Sequence, residues 1–449
     1  MRLDVQVSGR VVARLYRERD EYVLAYLPGT APSDFVSLAM PVREAPWRWP
    51  RDLHPFFRQN LPEGYLLNII REEFGPLLDG TDLSLLAVVG GTGIGRVTVT
   101  PEGMAPGVEM EPLHIGHLLS ADNTTERFAA LVRRYARASI SGMVPKFISP
   151  LELPATGSGP LGKPTLRTSR YIIKGSDDAT PFLGFNQHYS MRVLGRLDVV
   201  PVATTRMSDD GRVLVVERFD VDEHGLPTHG LEDACSLLGL PPHEKYATTT
   251  EKVLNATRAY LPAANLRTQL EQFGWQLLAN YVVRNADCHA KNIALCYSSL
   301  ADVGYSPVYD IVTTQAYPRY ASNPPALSVG GRKTWAAGKS LEQFFNARLG
   351  VPPRRYAEMI ECLCESAVQV GAEVIESARN EPRWRAVAKQ MVHAWDEGVS
   401  LLRDPKKTVV ATGLGDAIVA AGFSDPEPPQ PATTTIGRSE LLAPPRRKR

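Results

Sequence analysis

The sequence predicts an α+β fold in two parts, a β-containing amino-terminal portion followed by a mainly helical carboxy-terminal lobe. Three observations carry this expectation. Alternation of apolar and polar residues, the period of a half-buried strand, marks the first hundred residues. From residue 229 to about 402 the apolar residues recur at helical spacing instead. That helical text is broken near 285–318 by a segment bearing Asp, Asn, His and Lys, the residue types that perform chemistry.

The bulk properties set the frame. At 449 residues the chain is too long for one compact core and suits two or three domains. Hydrophobic residues make up 43% and charged residues 22%, an ordinary globular balance. Lys+Arg 50 against Asp+Glu 49 leaves a net charge of +1, without the basic excess of a dedicated nucleic-acid binder. The five cysteines, Cys235, Cys288, Cys296, Cys362 and Cys364, are odd in number and spaced for neither a disulfide framework nor a zinc site. Buried or incidental thiols in a reducing compartment are expected. Met1-Arg2-Leu3-Asp4-Val5 lacks the build of a signal peptide, and no uninterrupted apolar stretch has the length of a membrane span. A cytoplasmic protein with no membrane contact is the expectation.

Taken in order, residues 5–16 and 22–27 alternate as strands, joined as a hairpin by the polar linker 17–21. Helical spacing follows over about 53–74, with Leu61, Tyr65, Leu66, Ile69 and Ile70 in phase. Gly90-Gly91-Thr92-Gly93-Ile94-Gly95 lacks the order of a dinucleotide loop and the Walker lysine, and it runs into a strand at 95–100; a tight turn is expected. A Pro/Gly connector occupies 101–107, then a helix at roughly 125–136. Strand candidates lie at 139–148, 170–174, 199–207 and 212–219, with one helix at about 187–195. Beyond Asp404 the text is poor in aromatics and ends Pro-rich, Thr-rich and basic, so the tail is expected to bury little apolar surface and to be disordered.

Asp287 and Asn292 stand five positions apart, after an apolar helix expected over 273–283. Phosphoryl transfer needs a carboxylate to orient or deprotonate the attacking hydroxyl, and oxygen ligands for Mg2+, a hard cation. Protein kinases hold a catalytic Asp and a metal-binding Asn at this separation. Asp310 comes eighteen residues after Asn292, where a kinase places its second metal-binding carboxylate, although no Phe-Gly follows it. Lys291 is placed to steady the transferred phosphoryl group. By itself D-x-x-x-x-N is a weak signal, because loops are rich in Asp and Asn. Partners upstream strengthen it. Lys174 ends the strand-like Tyr171-Ile172-Ile173-Lys174 and can reach phosphates, or simply end the strand in solvent. The helix that follows offers Gln187 where kinases pair this lysine with Glu. Val215-Val216-Glu217-Arg218-Phe219-Asp220 reads as the link between lobes where adenine is held, with the backbone of Glu217 and Phe219 reading its edge and Arg218 and Asp220 in structural ion pairs. Ser139 to Lys146, including Ser141 and Gly142, is small and hydroxylated and could fold over phosphates, or form an ordinary turn. His289 is expected to anchor its loop by hydrogen bonding in preference to acting as a base or metal ligand.

Together these motifs resemble HipA-type kinases. Asn285-Ala286-Asp287-Cys288-His289-Ala290-Lys291-Asn292 is similar to that family's N-x-D-x-H-x-K-N, and Pro307-Val308-Tyr309-Asp310 to its P-x-Y-D. Asn60-Leu61-Pro62-Glu63-Gly64, Ser139 to Lys146, Ile173-Lys174, Glu217-Arg218-Phe219-Asp220, Leu231-Glu232-Asp233 and Lys245-Tyr246 follow the family order, so the resemblance covers roughly 1–402. It implies a protein-kinase-like two-lobed core behind a small β-containing subdomain, divided here as 1–106, 107–228 and 229–403 with a tail at 404–449. It implies that Asp287 is the catalytic base, assisted by Asn292 and Lys291, that Asn292 and Asp310 hold Mg2+, and that ATP is bound by Ser141, Gly142, Lys146, Lys174, Glu217, Phe219 and His289. Ser139 matches the serine that such kinases autophosphorylate, which expels the phosphate loop and silences the enzyme; Ser141 shares that loop. The best-known targets of such kinases are aminoacyl-tRNA synthetases, whose phosphorylation stops translation and arrests growth. Its partner is the helix-turn-helix antitoxin HipB, through which alone DNA is contacted. The chain departs from the family at Gln187, usually Glu, and at Val144, frequently Gln. Gln187 motivates a second reading, a pseudokinase that binds a partner or co-represses with an antitoxin. A third is a small-molecule kinase on the same scaffold, since fold does not fix substrate.

Overall fold

The chain's first reversal comes earlier than the alternation suggested. Ser8 (φ 48°) and Gly9 (φ 79°) take up left-handed backbone, as a tight two-residue hairpin requires. The expected strand over 5–16 is therefore two, β1 (Arg2–Val7) and β2 (Arg10–Glu18), whose shared apolar face made them read as one. The turn at 19–20 then leads to β3 (Glu21–Tyr26), as expected. With β4 (Trp47–Pro50) and, later, β5 (Val97–Pro101) they form an antiparallel sheet in the order β4-β3-β2-β1-β5. The computed structural model describes residues 1–62, 64–75, 78–104, 114–141, 165–167, 170–335, 337–403 and 413–423.

The helical stretch expected at 53–74 is a short turn, α1 (Pro55–Arg58), and α2 (Gly64–Phe74). A helix not foreseen, α3 (Asp82–Val89), follows, capped by the Thr81 hydroxyl on the Ser84 amide. Its apolar run is buried on nearly every side, so it lacks the one-sided pattern by which sequence reveals a helix. The sheet closes over Phe56, Phe57, Leu83 and Leu86 through Leu3, Val5, Leu15, Leu24 and Val99.

After α4 (Ile115–Ser120), helix α5 runs Thr125–Ser141, five residues past the expected end. The backbone at Ser139 and Ser141 is thus helical, which corrects the strand expected at 139–148 over its first three residues; the rest of that stretch lies outside the described residues. Gly142, Val144 and Lys146 lie outside the described residues. A second sheet has the order β6-β7-β9-β8, from β6 (Thr165–Arg167), β7 (Tyr171–Gly175), β8 (Thr205–Met207) and β9 (Val213–Glu217), with α6 (Leu183–Gly195) packed on it. Of the strand expected at 199–207, the last three residues are regular strand.

The carboxy-terminal lobe is not purely helical. A third sheet, β10 (Gly230–Asp233), β11 (Ala294–Ser299) and β12 (Asp302–Tyr305), brackets the chemistry-bearing loop. Around it lie α7 (Ala234–Leu237), α8 (Thr250–Arg258), α9 (Leu266–Val282), α10 (Lys339–Phe344), α11 (Pro353–Asn380) and α12 (Arg385–Arg403). Gly398 lets α12 settle on the end of α9: a Cβ there would stand 2.1 Å from the Val282 carbonyl oxygen. The expectation for the tail fails at 413–423. Helix α13 (Leu414–Ala420) packs on α11 and α12, burying Leu414, Ile418 and Phe423 completely or nearly so, with Leu414 seated over Gly371. Two apolar residues one helical turn apart, with Phe423 folded back just beyond the helix, suffice for docking, and composition averaged over the whole tail hides them. All five cysteines are free thiols, Cys362 exposed and Cys364 buried on α11. Among the described residues no helix is long and apolar enough to cross a membrane.

The amino-terminal sheet is fastened to the rest by buried polar groups. Arg96 donates to Ser298 O (3.0 Å) and Phe35 O (3.1 Å), with its guanidinium 4.4 Å from the Phe35 ring centre. Asp220 accepts from the Gly95 amide (2.7 Å) and pairs with Arg218 (2.6 Å), which also reaches Gly93 O (3.3 Å). Glu232, fully buried, accepts from Ser37 Oγ (2.8 Å) and the Leu38 amide (3.0 Å) on one side and Ser236 Oγ (3.0 Å) on the other. Each of these would be costly to bury unpaired.

Candidate functional site

A cleft of about 720 Å³ runs between the second sheet and the loop after α9. Its size suits a nucleotide. One wall is Ile172 and Lys174 from β7 with Val216, Glu217 and Phe219 at the end of β9. The opposite wall is Asp287, His289, Lys291 and Asn292, with Tyr309 and Asp310 from the segment after β12. Residues separated by more than a hundred positions thus face one another.

The loop is held by its own side chains. α9 ends at Val282, and Arg284 enters left-handed backbone (φ 56°), turning the chain out of the helix. Asn285 Oδ1 accepts from the Asp287 amide (3.0 Å), and Asn292 Nδ2 donates to Asp287 O (2.9 Å). Gln276, one face of α9, donates to Asn292 O (2.9 Å). Asn285 and Asn292 therefore fix the Asp287 backbone from both ends. Because the Asn292 amide nitrogen makes that bond, its oxygen is turned to a different side. Tyr309 Oη donates to Lys291 O (2.7 Å), and burial pushes this phenol well above its usual pKa, so it stays a donor.

Asp310 has φ 60°, a conformation that costs a non-glycine residue free energy and marks a position held by its surroundings. Its Oδ1 accepts from Lys174 Nζ (2.5 Å) and from Gln187 Nε2 (2.7 Å). The amide at 187 therefore braces the same carboxylate that pairs with the lysine. Gln187 is completely buried, and its Oε1 has no hydrogen-bond partner among the described residues. A glutamate there would set a second carboxylate against Asp310, whereas the amide supplies a donor.

His289 does not anchor the loop as expected. Its Nδ1 is buried with no hydrogen-bond partner among the described residues. Burial pushes the imidazole down to about 4 against the opposing pull of Asp287, so the ring is neutral at pH 7. The ring is instead packed edge to face against Tyr246, centres 5.0 Å apart. Neighbouring Cys288 is pushed up to about 12 by burial and by Asp287 and Asp310, so it remains a thiol and not a nucleophile.

At the outer end, the amide of Glu217 is bonded to Thr204 O and that of Arg218 to Arg170 O. The Phe219 amide has no backbone acceptor among the described residues, and its ring lies 6.0 Å from that of Tyr309. This is the arrangement that can present a backbone donor beside a flat apolar slot. Here the amino-terminal part joins in: Gln59, Asn60, Leu61, Pro62 and Ile94 line the same cleft. Gln59 donates to Leu231 O (2.9 Å) and accepts from the Asp233 amide (3.1 Å), and Asn60 is bonded in both directions to Ile94.

The structure thus gathers Lys174, Glu217, Phe219, His289, Lys291, Asp287, Asn292 and Asp310 in one cleft. Gly142 and Lys146 fall outside the described residues, and Ser139 and Ser141 are described as backbone alone. Tyr246, Tyr309 and Asp233, quoted above within motifs but given no role there, also line the cleft. Lys245-Tyr246 and Leu231-Glu232-Asp233 stood out as motifs, and spacing gave no sign of what they face. Among the described residues no group of three or more His, Cys, Asp or Glu gathers as a metal site.

Comparison with known proteins agrees with this geometry. Residues 3–100 match the HipA N-terminal domain and residues 138–371 the HipA-like C-terminal domain. The chain is 28% identical over 407 residues to Y4mE of Sinorhizobium fredii, provisionally named a kinase, covering 83% of this chain and 92% of that protein. It is 25% identical over 197 residues to a Haemophilus influenzae protein with the same provisional description, covering 40% and 55%. Among solved structures it is similar to a chain of the Shewanella oneidensis MR-1 toxin-antitoxin system, a complex of HipA, HipB and operator DNA. That match has a TM-score of 0.63 at 19% identity and covers 91% of this chain and all of the other. At that identity the likeness establishes the fold, and the two-lobed α+β architecture is the one expected.

Proposed function

The chain belongs to the HipA family, and from that premise we propose that it is an ATP-dependent serine/threonine protein kinase of the cytoplasm. One observation carries the reading: Lys174, Asp287, Asn292 and Asp310, drawn from three separate stretches of chain, line one nucleotide-sized cleft. In this reading Asp287 accepts the proton of an acceptor hydroxyl, its backbone fixed by Asn285 and Asn292 so that the carboxylate is held in place before the acceptor arrives. Lys174 meets the phosphates of ATP, and the purine lies in the slot of Ile172, Val216, Phe219 and Tyr309 with the Phe219 amide on its edge.

The donors present fit Mg2+. Asp310 and Asn292 offer oxygen, and this ion uses few protein ligands because nucleotide phosphates and water complete its shell. Bound there, it would neutralise charge on the phosphates. Gln187 favours the enzyme over a pseudokinase, since it braces Asp310 beside Lys174 and takes away neither group. Ser139 or Ser141 is the autophosphorylation site in this reading, an aminoacyl-tRNA synthetase is the class of external target, and a HipB-type antitoxin is the partner. Family membership supports these three assignments.

Purified full-length protein incubated with Mg2+ and γ-labelled ATP should acquire phosphoserine at 139 or 141, and Asp287→Ala should lose it. Equal incorporation by both proteins would refute the assignment of Asp287. Nucleotide binding without any transfer would favour the pseudokinase.

A further inference from the structure

Tyr246 stands directly on the proposed base. Its hydroxyl donates to Asp287 Oδ1 at 2.5 Å, across 41 positions of sequence. A general base must lie within hydrogen-bond reach of the proton it removes, so the place beside that carboxylate is where an acceptor hydroxyl has to come. Tyr246 therefore presents to Asp287 the same chemical group that a substrate serine or threonine would bring.

The setting allows this contact to be made and broken. Tyr246 is 41% exposed, unlike Tyr305 and Tyr317, which are buried, and Tyr309, which is partly buried against the core. Its ring stands edge to face on His289 with centres 5.0 Å apart, and the Lys245 ammonium lies 5.7 Å from the ring centre in a cation–π contact. Burial keeps His289 uncharged, so no ionic contact between the two rings resists movement. The loop bearing Tyr246 is nonetheless fixed relative to the base, because Lys245 O accepts from the Ala290 amide (3.2 Å) within the catalytic segment. The backbone positions the phenol, and a change of side-chain rotamer is enough to remove it.

Resting on the reading of Asp287 as base, we infer that Tyr246 is an acceptor gate, a built-in hydroxyl that occupies the catalytic carboxylate until a substrate hydroxyl displaces it. The gate discriminates among acceptors. Water and small alcohols compete for the carboxylate one hydroxyl against another and meet an intramolecular competitor at high effective concentration. A protein acceptor brings binding contacts along the cleft mouth, so it has the means to turn Tyr246 aside. The gate's role is to suppress wasteful transfer to water, the reaction in which ATP and H2O give ADP and phosphate.

The test is ATP hydrolysis by full-length protein with Mg2+ present and no protein acceptor added, for wild type, Tyr246→Phe and Tyr246→Phe combined with Asp287→Ala. Phenylalanine keeps the ring on His289 and removes only the hydroxyl, at a half-exposed position where folding should survive; a thermal melt checks this. Hydrolysis by Tyr246→Phe should exceed wild type about tenfold, equivalent to about 1.4 kcal/mol, and Asp287→Ala should abolish the gain. A rate equal to or below wild type would overturn the gate, as would phosphotyrosine at 246 in wild-type protein, which would make the residue an acceptor. If the gain persists without Asp287, the base assignment falls with it; a dead Asp287→Ala beside an unaccelerated Tyr246→Phe would sink the gate alone.

Discussion

Glu232 offers a quantitative test of how the amino-terminal sheet is joined to the catalytic lobe. Burial raises its carboxyl from 4.5 to about 7, opposed by hydrogen bonds from Ser37, the Leu38 amide and Ser236 and reinforced by Asp233. A group whose folded pKa is raised favours the folded state while it is protonated. Its contribution is complete below about pH 4.5 and is lost as the pH climbs through about 7. At about 1.4 kcal/mol per pH unit, the rise corresponds to about 3 kcal/mol between the two limits. Glu232→Gln preserves size, cannot ionise, and keeps one acceptor oxygen for the Leu38 amide while its NH2 donates to a serine hydroxyl. Urea unfolding of both proteins at pH 5, 6, 7 and 8 should show similar stability at the acid end. The variant should then pull ahead with rising pH, by up to about 3 kcal/mol. Comparing the two proteins cancels the other titrations, including His54, His188 and His289, whose pKa values burial lowers to about 4. A difference that stays constant across the range would refute the claim that this carboxyl is buried and proton-linked.

Two further outcomes follow from the site and the core. Lys174→Met, which leaves Asp310 with Gln187 as its remaining named donor, should lower phosphate transfer by about 10²- to 10³-fold with an unchanged melting profile; a rate equal to wild type would show that this lysine lies outside the reaction. Leu414→Ala, at a fully buried position over α11, should cost about 2–5 kcal/mol in chemical denaturation. A neutral result would mean that α13 does not belong to the core.

The parts of this fold that could be read from sequence are those where one residue type meets one local requirement. Alternation in the first strands and the Asp287–Asn292 spacing were of this kind. The Ser8-Gly9 turn escaped because both strands beside it bury the same face, so the alternation runs on unbroken across a reversal. α3 escaped because a helix buried all round has no polar side to set the period. β10, β11 and β12 were lost in a helical background, being short strands whose pairing is decided by tertiary contacts. At the site, Lys174, Asp287 and Asp310 carry recognisable chemistry at expected separations. Tyr246 and Gln59 do not: a tyrosine before a helix and a glutamine after a short turn look ordinary until the fold sets one on a carboxylate and the other on the backbone of β10. The supposed anchoring by His289 went wrong for a related reason, since asparagines on either side had already taken that work.

The bonds from Gly93 and Gly95 to Arg218 and Asp220 have a consequence for how such a protein can be cut, fused or inherited. The strand end that would grip a purine is steadied by backbone groups lying more than a hundred positions upstream. An excised kinase lobe would keep Arg218 and Asp220 paired with each other while losing the amide and carbonyl that aim them. Gln59 and Arg96 would be missing from the same seam. The segment at 3–100 is thus better regarded as a structural subunit of the cleft than as a separable appendage, and exchange between relatives should succeed only when both sides of the seam travel together.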